Sequence, residues 1–108
     1  MEVKAGLARV ALARSDMKDA LHQANEIAAY LADGGSLRGT WEPLRIYLTC
    51  YQVFQSAQDP RAEEILTTAY NLLQDQAARI PDQAYRVLFL EHVPWHREVT
   101  QAWQARVH

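Results

Sequence analysis

The chain has 108 residues, 49% hydrophobic and 22% charged, with 11 Lys+Arg against 13 Asp+Glu for a net charge of -2. That length sets a single domain burying roughly two-thirds of its unfolded surface. The balanced charge, with no basic run, excludes a nucleic-acid footprint, and no stretch approaches the ~20 apolar residues of a membrane span.

In chain order, residues 2–13 place Val3, Leu7, Val10 and Ala11 on one helical face. Ser15 and Asp16 interrupt, and either side chain can cap the next helix. Residues 17–32 carry the clearest period, Met17, Ala20, Leu21, Ala24, Ile27, Ala28 and Leu31, opposite a solvated face that includes His22. Gly34 and Gly35 then supply left-handed geometry to end the helix, and residues 33–40 form a polar connection.

Residues 40–57 predict the central helix, with Thr40 as cap and Pro43 tolerated in the first turn. Its apolar residues Leu44, Ile46, Tyr47, Leu48, Cys50, Tyr51, Val53 and Phe54 leave one polar line, Arg45, Thr49, Gln52 and Ser56. A helix this apolar is covered on two or more sides.

Asp59 as N-cap and Pro60 as first residue predict a fourth helix running to about residue 80. It buries Ala62, Ile65, Leu66, Ala69, Tyr70, Leu73 and Ala77. After Pro81 and Asp82 comes a fifth, residues 83–92, with Tyr85, Leu88 and Phe89 on one side. Pro94 starts a sixth, where Trp95, Val99, Ala102 and Trp103 recur at helical spacing. The four glycines and four prolines punctuate these elements and no strand pattern competes, so the fold class is all-α.

A shift of 42 residues lays the first hairpin on the second: Ala8 on Cys50, Ala11 on Val53, Ala20 on Ala62, Ala24 on Leu66, Ile27 on Ala69. Short side chains at such places let helices approach closely. On these residues, with Leu7-Ala8, Ser15-Asp16 and Ala20-Leu21, the sequence resembles the tetratricopeptide repeat (TPR) family. Ile46 and Val53 stand where that family favours aromatic residues. Residues 41–103, from W-E-P-L-R-I-Y through Q-D-P-R-A-E-E-I-L to H-V-P-W-H-R-E-V, resemble the last TPR units of large bacterial signalling and transcriptional regulators.

The resemblance implies antiparallel helical hairpins stacked as a short right-handed superhelix of about six helices. Residues 1–33 make the first hairpin, 40–80 the second, and 82–107 the C-terminal capping helices. It also implies a non-catalytic protein- or peptide-binding module, part of a larger cytoplasmic regulator. The open end near residues 2–13 keeps an apolar face that a homodimer would bury.

Candidate chemistry is sparse. Arg45, Thr49 and Gln52, if they face a concave groove, offer donors to an acidic or peptide ligand. The alternative is a ligand-sensing or metal-binding domain using His92 and His96 with Glu91 and Glu98. Pro94 stands between the two histidines and pushes its predecessor out of helical geometry, so they read better as surface or helix-cap residues. Cys50, the only cysteine, reads as a core residue and points to a reducing cytoplasm. Glu63 and Glu64 fall on different helix faces, Ser15, Ser36 and Ser56 lack a nucleophile-elbow pattern, and Gly34, Gly35 and Gly39 make no phosphate loop. No catalytic residue, cofactor or resident metal is therefore expected.

Overall fold

The computed structural model describes residues 2–35 and 43–106. The capping role expected of Thr40, most of the 33–40 connection, Ser36, Gly39, Trp41 and His108 lie outside the described residues. The fold is all-α: α1 (Glu2–Ala13), α2 (Met17–Ala32), α3 (Pro43–Ser56), α4 (Arg61–Ala78), α5 (Gln83–His92) and α6 (Pro94–Arg106). Among the described residues no helix is long and apolar enough to cross a membrane.

Local chemistry sets the boundaries. Asp16 Oδ1 accepts from the Asp19 amide at 3.2 Å and opens α2. Asp82 Oδ1 accepts from the Ala84 and Tyr85 amides and opens α5. α4 starts at Arg61, one residue later than expected, so Pro60 rather than Asp59 holds the N-cap place, while Asp59 Oδ1 still accepts from the Arg61 amide at 2.9 Å. That helix ends at Ala78 rather than near residue 80, where Arg79 turns its amide back to the Gln76 carbonyl.

Three helices close with the same Schellman geometry. The amides of Asp16, Gly35 and Asp59 donate to the carbonyls of Ala11, Tyr30 and Phe54, at 2.8, 2.9 and 2.8 Å. The left-handed residue before each is Ser15 (φ 59°), Gly34 (φ 86°) and Gln58 (φ 56°). Only the first glycine of the Gly34–Gly35 pair therefore supplies the left-handed step. Gly35 is needed because a Cβ there would collide with the Tyr30 carbonyl oxygen and ring. Gly6 departs from the expected punctuation: it lies inside α1.

Packing makes α3 the centre, touching α1, α2, α4 and α6. The core divides along it. Ile46, Cys50, Val53 and Phe54 join Ala5, Ala8, Ala11, Ala20, Ala24, Ile27 and Ala62 in one cluster. Leu44 and Leu48 join Leu66, Ala69, Leu73 and Val99 in the other. All ten residues paired by the 42-residue shift are buried. The turns repeat one position later, however, with Ser15 on Gln58 and Asp16 on Asp59, a shift of 43. The residue is lost at the start of α4, where the Ala62 amide reaches back three positions to Asp59 while the Ala20 amide reaches back four to Asp16.

α6 contacts α3 and α4 as α3 contacts α1 and α2, so it stands as the first helix of a third unit. α5 touches only α4 and α6 and contributes no fully buried residue. Of its expected inner face, Tyr85 and Leu88 are exposed and only Phe89 and its neighbour Leu90 pack inward. Tyr70 stacks on Trp103 with centroids 4.2 Å apart, and Arg106 covers that indole while pairing with Glu63 at 2.6 Å. The radius of gyration is 13.9 Å, slightly above the ~13 Å of a compact domain this size, as a short stack requires.

Candidate functional site

The first helices of the three units, α1, α3 and α6, together line a cleft of about 420 Å³. Its floor is α3. Arg45, Thr49 and Gln52 share one stripe because they lie four and three residues apart, and all three line this cleft. α1 contributes Arg9, and α6 contributes Trp95 and Glu98.

Thr49 does not play the part expected of it. It is 1% exposed; its hydroxyl donates to the Arg45 carbonyl at 2.9 Å and accepts from Arg9 Nη1 at 2.9 Å. A β-hydroxyl on a buried helix face finds the carbonyl one turn back, and here its lone pair also anchors a guanidinium from the neighbouring unit. Thr49 therefore positions Arg9 and leaves no donor for a ligand.

Arg45 is exposed, its guanidinium carbon 5.3 Å from the Trp95 ring centroid, within cation–π range. Gln52 Nε2 donates to Glu98 Oε2 at 3.3 Å across the cleft. The arrangement thus brings two guanidiniums, an indole and a carboxylate already bonded to an amide into one cleft. Planar cations beside an aromatic plate suit a carboxylate next to an apolar or flat group.

The sequence reading missed Arg9, Trp95 and Glu98 as cleft residues. Arg9 falls 43 positions before Gln52, so the register of the turns would have revealed it. Trp95 also lies 43 positions from Gln52, but not at an equivalent place, because α5 intervenes and lengthens the step to α6; Glu98 carried no such signal.

The two histidines do not converge on a helix. Val93 is extended (φ -88°, ψ 118°), as the residue before proline should be. His92 is exposed, whereas His96 takes the helix-cap place of the two expected: it is 7% exposed, with Nδ1 2.7 Å from the Phe89 carbonyl in the last turn of α5 and the Phe89 ring at 4.3 Å. Burial behind α5 and a hydrogen bond to its backbone make His96 a tie between α5 and α6. Among the described residues no group of three or more His, Cys, Asp or Glu is gathered to hold a metal.

Burial pushes the Cys50 thiol up to about 12, far from the thiolate that nucleophilic chemistry needs. Glu63 and Glu64 are both exposed near the start of α4. A second hollow, about 500 Å³ between α2 and α4, is lined by Ala28, Leu31, Ile65 and Tyr47, and burial raises the Tyr47 phenol. It abuts Gly35, beside the residues not described.

No family model, curated protein or solved structure matches the chain.

Proposed function

We propose that the chain is a non-catalytic, TPR-like module that holds an acidic segment of a protein or peptide partner in the α1–α3–α6 cleft. The observation that carries this reading is the convergence of Arg9, Arg45 and Trp95, from three successive units, on one cleft. Three separate helices supplying one binding surface is what a stacked array offers and a single hairpin cannot. An extended peptide would lie across the first helices, with a carboxylate between the guanidiniums and an apolar neighbour on the indole. The W-E-P-L-R-I-Y and H-V-P-W-H-R-E-V segments support a place in a larger bacterial cytoplasmic regulator.

The test is titration of the full chain with acidic, neutral and basic peptides of equal length, read by calorimetry and tryptophan fluorescence. Acidic peptides should bind saturably and weaken with salt. Arg45→Glu should abolish this binding while leaving the melting temperature nearly unchanged. Trp95→Phe should remove the fluorescence response, separating it from Trp41 and Trp103. Equal binding of all three peptide classes, or none, would sink the reading.

A further inference from the structure

A stripe of residues at i, i+4 and i+7 recurs on the first helix of each unit. On α3 it is Ile46, Cys50 and Val53, all packed in the cluster formed with α1 and α2. On α6 it is Trp95, Val99 and Ala102, packed in the cluster formed with α3 and α4. The shift of 43 that superposes the turns carries Ile46, Cys50 and Val53 back to Val3, Leu7 and Val10. Those three side chains are 75%, 47% and 50% exposed. The stripe that seats each later unit on its predecessor is therefore present on α1 and uncovered.

We infer that the Val3–Leu7–Val10 face of α1 is a docking site for a preceding repeat hairpin built like α1–α2. The chemistry of that occupant follows from the junction already formed. Where α3 docks, the hairpin supplies Ala5, Ala8, Ala20 and Ala24, each 0% exposed. These short side chains leave room for a branched stripe to sink between two helices.

A second copy of this chain offers no vacant seat of that kind, because its own α1–α2 pair already receives α3. Two α1 stripes facing each other would meet along only about 10 Å of helix, short of the ~1,200 Å² of a stable dimer. This surface is separate from the α1–α3–α6 cleft and does not depend on it.

The experiment places a copy of residues 1–43 directly ahead of Met1, which sets Val3, Leu7 and Val10 in the register of Ile46, Cys50 and Val53. The tandem chain should melt in a single calorimetric transition, about 4 °C or more above the 108-residue chain. Leu7→Glu in the second copy should split that transition and return the main one to its original temperature. In the 108-residue chain the same substitution should move the melting temperature by less than about 2 °C, since Leu7 is half-exposed. An added hairpin that melts separately, or a shift that survives Leu7→Glu, overturns the inference. So does sedimentation showing a dimer of the 108-residue chain that Leu7→Glu dissociates, which would make the stripe a seam between copies.

Discussion

Ser15 and Gln58 hold the same left-handed backbone conformation, φ 59° and 56°, at equivalent points of the two hairpins. Each closes its turn with a 2.8 Å bond from the following aspartate amide to the carbonyl five residues back. Neither is glycine, the residue that adopts this conformation without a Cβ penalty. Ser15→Gly and Gln58→Gly should each stabilise the fold by about 0.5–1 kcal/mol. Gly6 is the converse, a helix-interior glycine whose added Cβ would meet only Arg9 Nη2, at 3.8 Å. Gly6→Ala should add about 0.5–1 kcal/mol. Urea melts read all three, and a loss of stability in either turn variant would contradict the Schellman assignment.

Asp59 gives the fold an acid-sensitive joint. Hydrogen bonds from the Arg61 guanidinium, then from its backbone amide, hold the Asp59 carboxyl at about 2 against an ordinary 3.8. A lowered folded value means the unfolded chain takes the proton first, so the stabilisation is present above about pH 4 and lost as pH falls through about 2. Arg61 also donates to Asn25 Oδ1 at 2.7 Å and lies 4.2 Å over the Phe54 ring, so this joint links α2, α3 and α4. The melting-temperature gap between the native chain and Asp59→Asn should narrow steadily across that acid range. A gap independent of pH would show that the pair contributes nothing through its charge.

Ala20 and Ala62 test the stacking directly, because both belong to the cluster between the hairpins and are 0% and 4% exposed. A phenylalanine at either place overfills a close-packed junction and should destabilise by about 1–3 kcal/mol. Loss of a single cooperative transition is the expected sign. Unchanged melting in both variants would mean that the hairpins do not meet through these residues.

Elements were legible because their signals are local. Asp16, Asp59 and Asp82 each bond an amide two or three residues on, and the α2, α4 and α6 faces repeat at three and four. Faces were harder where composition and burial part company. On α1 the branched Val3, Leu7 and Val10 look like core while Ala5 and Ala8 are the residues fully buried, since close approach selects for smallness rather than hydrophobicity. α5 misled for a related reason: Tyr85 and Leu88 share a face, yet only Phe89 and Leu90 reach the neighbouring helices. Of the cleft, the α3 stripe was readable from its own spacing. Its partners on α1 and α6 come from 36 and more positions away along the chain, a distance that only the repeat register spans; Arg9 obeys that register, whereas α5 intervenes before Trp95 and Glu98 and displaces α6 from it.

Cys50 should behave as a reporter of unfolding. Its thiol is 0% exposed and pushed up to about 12 by burial. A raised folded value means the contribution is intact below the ordinary 9.0 and lost as pH climbs toward 12. Labelling by a thiol reagent near neutral pH should therefore follow the fraction unfolded in urea. Prompt labelling of the native chain without denaturant would contradict the packing of α3 against the first hairpin.

The Arg9–Thr49 contact joins stability to the cleft, and a double-mutant cycle separates the two. Thr49→Val keeps the shape but removes the acceptor for Arg9 and the donor to the Arg45 carbonyl. The buried site is fully satisfied as it stands, so the loss should be about 0.5–1.5 kcal/mol. Arg9→Leu alone should lower stability less, since a half-buried guanidinium is partly hydrated already. If the hydroxyl orients the guanidinium, the double variant should be less destabilised than the sum of the singles by about 0.5 kcal/mol or more. The same logic extends to binding. Thr49→Val releases Arg9 from its fixed place without altering the charge of the cleft, so acidic-peptide affinity should fall several-fold in the Arg9 background and change little once Arg9 is leucine. Equal losses in both backgrounds would mean that Thr49 acts through α3 alone, and that α1 supplies no part of the binding surface.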